Sequence, residues 1–179
     1  MHQDCERILL SEEQIRSRVR EVAEAVDRDY QGKNPLVVGI LKGSVIFYAD
    51  FIRCLSMPVE LDFMAVSSYG SGAVSSGKLK IKKDLDKEVV GRDVIIVEDI
   101  IDSGFTLANL KALMTERGAN SVRIATLLNK ASRREYDIAP DYNCFYIENE
   151  FVIGYGLDYN EHYRHLPYIG VLKREVYEK

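Results

Sequence analysis

Three acidic residues, Glu98, Asp99 and Asp102, lie close together just before a turn of small polar residues. The turn, at 103–106, opens a segment with helical spacing of apolar residues, and the free N–H groups at a helix start form an anion site. Carboxylates so close to that site would repel an isolated phosphate. A phosphorylated sugar satisfies both features, because its phosphate can bind the turn while its hydroxyl groups, or a bridging cation, bind the acids.

The elements around this motif must place the acids and the turn at one edge of a sheet. Unbroken apolar runs predict strands buried on both faces, and such runs lie at 36–41, 94–97 and 122–128. Further strands are predicted at 59–67 and 78–84, and helices at 12–30, 45–55 and 106–117. This alternation predicts an α/β fold, a mostly parallel twisted sheet with flanking helices, in which ligands bind at the carboxyl ends of the strands.

A second turn of the same kind follows the strand at 36–41. Lys42, Gly43 and Ser44 come between this strand and the next helix, which gives a second anion site with a lysine added. Two such turns indicate a ligand with two phosphate groups. The structural alternative for both is a plain helix start, with Asp102 or Ser103 as the N-cap of the later helix.

Other candidate positions follow later strands or lie in loops. Lys130 ends the strand at 122–128 and points to the same edge, although a single lysine in this position is usually solvated. Phe151 and Val152 fit either the core or a contact with a planar ring. The segment 68–77 is rich in glycine and serine and predicts a mobile loop.

The composition limits the class of protein. With 179 residues, 46% hydrophobic and 29% charged, the chain is expected to form a single domain spanning 1–179. A net charge of −4 gives no overall attraction for nucleic acid, and no apolar stretch approaches the roughly 18 residues of a membrane span. Three cysteines without metal-binding spacing, and a start without the signal-peptide pattern, predict reduced thiols and a cytoplasmic location.

Four motifs resemble those of the type I phosphoribosyltransferases. VEDIIDSGFT at 97–106 is similar to their phosphoribosyl-pyrophosphate signature, LKGS at 41–44 to their pyrophosphate loop, and Ser68-Tyr69 to the start of their catalytic loop. FVIGYGLDYNEHYR at 151–164 resembles the 6-oxopurine branch, the hypoxanthine-guanine phosphoribosyltransferases. The resemblance spans about Leu9 to Val171. It implies a purine-salvage enzyme in which terminal segments add a small hood to the sheet.

The resemblance also implies residue roles, with Asp102 as the catalytic residue that accepts or steers the proton on N7 of the purine. The residues implied to bind phosphoribosyl pyrophosphate are Lys42, Gly43, Ser68, Tyr69, Glu98, Asp99, Asp102, Ser103, Gly104, Phe105, Thr106 and Arg164. Those implied to bind the purine are Lys130, Phe151, Val152 and Asp158. Magnesium is the implied cofactor, held by Glu98, Asp99 and Asp158. The implied partners are small-molecule substrates and further copies of the chain, as a dimer or tetramer.

Other functions share parts of the signature. A phosphoribosyltransferase that acts on xanthine or uracil would keep the residues that bind the sugar and differ in those that bind the base. A regulatory protein that only senses phosphoribosyl pyrophosphate needs a DNA-binding domain, which we do not expect because the motifs occupy most of the 179 residues. An RNA attenuator needs a basic surface, which the net charge of −4 disfavours.

Overall fold

The structure is a computed structural model that describes residues 1–68 and 79–178. Its strands are β1 (Cys5–Leu10), β2 (Leu36–Leu41), β3 (Glu60–Ser68), β4 (Leu79–Lys83), β5 (Asp93–Ile101), β6 (Ser121–Asn129), β7 (Tyr142–Tyr146), β8 (Val152–Ile153) and β9 (Ile169–Leu172). Its helices are α1 (Glu12–Asp29), α2 (Val45–Cys54), α3 (Phe105–Glu116) and α4 (Arg174–Tyr177), and a 3₁₀ turn spans Ala131–Arg133.

The main sheet has the strand order β4-β3-β2-β5-β6-β7. All neighbours pair in parallel except β4, which is antiparallel to β3 at the edge of the sheet. The central strands β2 and β5 are nearly continuous in apolar residues because helices cover both of their faces. The mostly parallel α/β sheet predicted from the sequence is therefore confirmed.

Alternate residues of the central strands enter two separate cores. Val37 and Ile95 belong to the cluster that contains the buried residues of α1 and α2, whereas Val38 and Ile96 belong to the cluster that contains those of α3. Burying a side chain of this size contributes about 1.5–3 kcal/mol. Because both faces are covered in this way, the carboxyl ends of the strands are left as the open edge.

A second, antiparallel sheet with the order β1-β9-β8 joins the two ends of the chain. The loop between β8 and β9 reaches the turn between β2 and α2, where the Lys42 ammonium lies 2.9 Å from the Glu161 carboxylate. This small sheet is the hood implied by the family resemblance, and it adjoins the carboxyl edge of the main sheet.

One expectation about the elements is corrected. The strand predicted at 94–97 continues to Ile101, so Glu98 and Asp99 lie within β5 and not after it. The segment after Lys130, for which the sequence predicted no strand or helix, contains β7, β8, β9 and α4. The three cysteines are free thiols, as predicted. Within residues 1–68 and 79–178, no helix is long and apolar enough to cross a membrane.

Candidate active site

The ends of three parallel strands bring the predicted site residues to one edge. Ile101 of β5 pairs with Asn129 of β6, so Asp102 and Lys130 follow their strands side by side. β2 flanks β5 on its other side, which brings the Lys42 turn to the same edge. The edge also includes Ser68, the last residue of β3, while Tyr69 and the rest of the predicted loop at 68–77 lie outside the described residues.

Glu98 and Asp99 form a buried acidic pair at the end of β5. Burial raises the pKa of both carboxyl groups, and the neighbouring charge of Asp99 raises the pKa of Glu98 further. Their hydrogen bonds are local, from the Asp99 N–H to Glu98 Oε1 at 3.2 Å and from the Ile100 N–H to Asp99 Oδ1 at 2.7 Å. Two neighbouring carboxyl groups supply the oxygen ligands that a hard divalent cation such as Mg²⁺ prefers.

The turn after β2 packs directly against this acidic pair. A β-carbon at Gly43 would overlap the Asp99 carboxylate, so only glycine allows the backbone to approach so closely. The peptide bond between Leu41 and Lys42 is cis. Ser44 Oγ donates to the Ile40 carbonyl oxygen at 2.6 Å, which ties the turn back to its strand. The two predicted anion turns are therefore neighbours with the acids between them.

The turn 102–106 surrounds a cavity of about 230 Å³ at the start of α3. Gly104 is the N-cap with a φ of +89°, a left-handed conformation that glycine adopts without strain. The alternative in which Asp102 or Ser103 is the N-cap is therefore wrong, although Ser103 Oγ accepts a hydrogen bond from the Phe105 N–H at 3.3 Å. Thr106 lies in the first turn of α3, where backbone N–H groups have no partner within the helix.

The segment after β6 surrounds Asp102 with basic residues. Lys130 is 9% exposed, and burial lowers the pKa of its ammonium group while the charge of Asp102 opposes that shift. Arg134 donates from Nε to the Asp102 carbonyl oxygen at 3.0 Å and from Nη2 to Asn129 Oδ1 at 2.6 Å. The sequence interpretation omitted Arg133 and Arg134. Both follow Lys130 and the end of a strand whose carboxyl end lies where ligands are expected, and this position could have indicated that they belong to the site.

The hood supplies the remaining predicted residues. Phe151 is 38% exposed, and its ring stacks on Tyr177 of α4 with ring centroids 4.8 Å apart. Val152 lies on β8, the edge strand of the hood, and pairs with Val171 of β9. The Phe151 ring also makes an edge contact with Tyr159, with centroids 5.5 Å apart. Phe151 is therefore a partly exposed aromatic residue rather than a core residue.

Asp158 and Arg164 form an ion pair with atoms 2.9 Å apart in the loop of the hood. Glu161, which the sequence interpretation also omitted, lies 2.9 Å from Lys42 and 3.6 Å from Arg164. Lys42 and Arg164, which the resemblance implies bind pyrophosphate, thus share the carboxylate of Glu161. Across residues 1–68 and 79–178, no group of three or more acidic, histidine or cysteine side chains forms a ready metal site.

The fold and the residues at the carboxyl edge of the main sheet together define a class of protein. It is an α/β protein with a parallel sheet whose carboxyl edge combines a buried acidic pair with two anion-binding turns beside a hood. The chain belongs to the phosphoribosyl transferase domain family, which matches residues 8–160.

Individual relatives are similar over the whole chain. The hypoxanthine-guanine phosphoribosyltransferase of Streptococcus thermophilus is 51% identical over 179 residues, which cover 100% of this chain and 99% of that protein. The bifunctional protein TilS/HprT of Listeria monocytogenes is also 51% identical, and the chain spans 28% of its length. A crystal structure of a hypoxanthine phosphoribosyltransferase from Staphylococcus aureus has a TM-score of 0.96 and 47% identity, covering 100% of this chain and 97% of that one.

Proposed function

We propose that the protein transfers the 5-phosphoribosyl group of phosphoribosyl pyrophosphate to N9 of hypoxanthine or guanine, a purine-salvage reaction that gives IMP or GMP and pyrophosphate. Family membership and the names of the relatives support the reaction class. The observation that carries the choice of base is the buried Lys130 beside Asp102, at the edge between the phosphate turn and the hood.

In the proposed complex, the 5-phosphate of the sugar binds the turn 102–106. The backbone N–H groups and the positive helix end at this turn supply the attraction, so the side chain of Phe105 is not required to bind the phosphate. Phe105 instead packs its ring against Tyr136, with centroids 5.5 Å apart. The ribose hydroxyl groups bind Glu98 and Asp99, which lie directly before the turn.

The pyrophosphate group binds Lys42, Gly43 and Arg164. Both cations must then release Glu161, which pairs with them in the absence of substrate. Glu98 and Asp99 would hold magnesium, and Asp158 would help to hold a second ion. When bound, magnesium supplies positive charge that offsets the charge of the departing pyrophosphate. The raised pKa values of the acidic pair, caused chiefly by burial, fit this role, because a bound cation offsets the cost of burying the two carboxylate charges.

The purine stacks on Phe151, and backbone groups at Val152 contact its edge. Lys130 donates to the 6-oxo group. As the bond from N9 to C1 of the sugar forms, the bond from C1 to pyrophosphate breaks and its electron pair leaves with pyrophosphate. The proton on N7 passes to Asp102, which acts as a general base between the phosphate turn and the base.

A panel of bases tests the proposal. The purified protein would be incubated with phosphoribosyl pyrophosphate, magnesium and one of hypoxanthine, guanine, xanthine, adenine or uracil, and the nucleotide would be separated and quantified. We expect IMP and GMP to form much faster than AMP or UMP. Formation of UMP alone would replace the purine assignment, and formation of XMP alone would replace hypoxanthine and guanine by xanthine. Binding of phosphoribosyl pyrophosphate without turnover on any base would indicate a sensor.

We further propose that residues 1–179 act as a single phosphoribosyltransferase domain in a cytoplasmic homo-oligomer. Pairing of β1 with β9 joins the two ends of the chain and supports a single unit. Val45 and Ile46 of α2 are 39% and 38% exposed, which offers apolar surface to another copy. Light scattering coupled to size-exclusion chromatography would distinguish a monomer from the expected dimer or tetramer.

A further inference from the structure

The two oxygens of the Asp102 carboxylate have different surroundings. Oδ1 is buried and lies 2.9 Å from the Nε of Arg133. The direction of this contact does not meet hydrogen-bond geometry, so it is an ion pair. The Asp102 side chain as a whole is 43% exposed. Because Oδ1 is buried, the accessible part of the carboxylate is the side that carries Oδ2.

The 3₁₀ turn after β6 delivers Arg133 to this position. The Lys130 N–H donates to the Ile101 carbonyl oxygen at 3.0 Å, which fixes the start of the turn beside the end of β5. The Arg133 N–H donates to the Lys130 carbonyl oxygen at 3.1 Å, which closes the turn. The Arg133 side chain is 52% exposed, so its contact with Asp102 is not a requirement of core packing.

We propose that Arg133 is a positioning residue for the Asp102 carboxylate. The inference rests on the proposed function, in which Asp102 accepts the N7 proton of the purine. Arg133 binds Oδ1 and fixes the rotation of the side chain, which directs Oδ2 toward the base. Without Arg133 the carboxylate populates other rotamers, and the fraction of enzyme with the acceptor aligned falls.

A double-mutant cycle tests this inference in the full-length protein. The turnover number kcat and the KM values for hypoxanthine and phosphoribosyl pyrophosphate would be measured for the wild type, Arg133→Gln, Arg133→Lys, Asp102→Asn and the double variant Asp102→Asn/Arg133→Gln. Arg16→Gln is the matched control, because Arg16 forms an ion pair of the same length, 2.9 Å, with Glu12 on α1. Thermal unfolding would be followed for every variant.

We expect Arg133→Gln to lower kcat roughly 5-fold or more, with the KM for phosphoribosyl pyrophosphate changed by less than about 2-fold. Arg133→Lys should recover most of the loss, and Arg16→Gln should leave kcat unchanged. In the Asp102→Asn background, Arg133→Gln should have no further effect. An Arg133→Gln variant with wild-type kcat, an equal loss in both backgrounds, or no recovery with lysine would overturn the inference. A wild type without activity on hypoxanthine would instead contradict the proposed function.

Discussion

Lys130 is the residue on which the choice of base depends in the proposed site. An ammonium group only donates hydrogen bonds, so it pairs with the 6-oxo group of hypoxanthine but meets the 6-amino group of adenine donor to donor. Leaving a buried charge unpaired costs about 1–3 kcal/mol or more. The sequence shows only where the lysine lies along the chain, whereas the structure shows that it is buried. An ammonium group without a hydrogen-bond partner is therefore costly at this position.

We therefore expect Lys130→Met to lower kcat/KM for hypoxanthine by roughly 10²-fold or more and to change the affinity for phosphoribosyl pyrophosphate far less. The measurement is kcat/KM for hypoxanthine and for adenine in both proteins. Lys33→Met is the control, since Lys33 lies 3.6 Å from Asp93 at the opposite end of β5. A wild type that uses adenine as well as hypoxanthine, or an unchanged ratio in the variant, would refute the role of Lys130.

Glu98 illustrates a stability cost of the proposed site. Burial and the charge of Asp99 raise the pKa of Glu98 above its value in the unfolded chain. The folded state therefore binds this proton more tightly, so the stabilisation is present at low pH and is lost as the pH rises through the raised pKa. Gln has the shape of the protonated acid and does not ionise.

In metal-free buffer at pH 7, Glu98→Gln should raise the Tm by about 2–4 °C, the effect of roughly 1 kcal/mol in a domain of this size. The difference should shrink toward pH 4. Glu60→Gln is a control of opposite sign, because hydrogen bonds from Lys87 and Arg92 lower the pKa of Glu60. Calorimetry over this pH range would measure both. A lower Tm for Glu98→Gln at pH 7 would show that the carboxylate pair is not under strain.

At the scale of elements, the sequence predicted those with strong local patterns. The apolar runs of β2, β5 and β6 and the periodicity of α1 place these elements within a few residues of their observed bounds. The end of β5 was predicted too early because Glu98 and Asp99 are polar, although strand pairing with β6 continues to Ile101. β8 has only two residues, and its formation depends on pairing with β9 rather than on its own pattern.

The segment after β6 supports the phosphate turn from outside. Arg134 holds the Asp102 carbonyl oxygen, and the N–H groups of Glu135 and Tyr136 both donate to the Ser103 carbonyl oxygen, at 2.9 and 3.1 Å. Arg134 also donates to the Ile138 carbonyl oxygen. No local pattern in the turn itself reveals this support, because the contacts join segments about 30 residues apart.

Arg134→Ala should therefore raise the KM for phosphoribosyl pyrophosphate about 10-fold or more, since each hydrogen bond to a charged donor contributes about 1.5–3 kcal/mol. Steady-state kinetics with phosphoribosyl pyrophosphate as the varied substrate would measure the effect. Arg117→Ala is the matched control. Arg117 binds Asp84 with two hydrogen bonds of 2.7 and 2.6 Å at the far end of α3, and its loss should lower stability only. Equal KM values for the two variants would contradict the supporting role of Arg134.

At the scale of the whole molecule, the proposed site is divided between two sheets. The main sheet provides the acidic pair, both anion turns and Lys130, and the hood provides Phe151 and Arg164. The hood forms only when the two ends of the chain pair as β1 and β9. Sequence motifs identified residues on both parts, but the pairing of Glu161 with Lys42 and Arg164 depends on how the hood meets the main sheet.

The central claim is that this edge transfers a phosphoribosyl group to a 6-oxopurine with Asp102 as the proton acceptor. The most direct test compares the wild type and Asp102→Asn for IMP formation from hypoxanthine, with binding of phosphoribosyl pyrophosphate measured in parallel. We predict that the wild type forms IMP and pyrophosphate in equal amounts. Asp102→Asn should turn over roughly 10²-fold or more slowly while it binds phosphoribosyl pyrophosphate with similar affinity. Absence of IMP with the wild type, or unchanged turnover in the variant at saturating substrate, would contradict the claim.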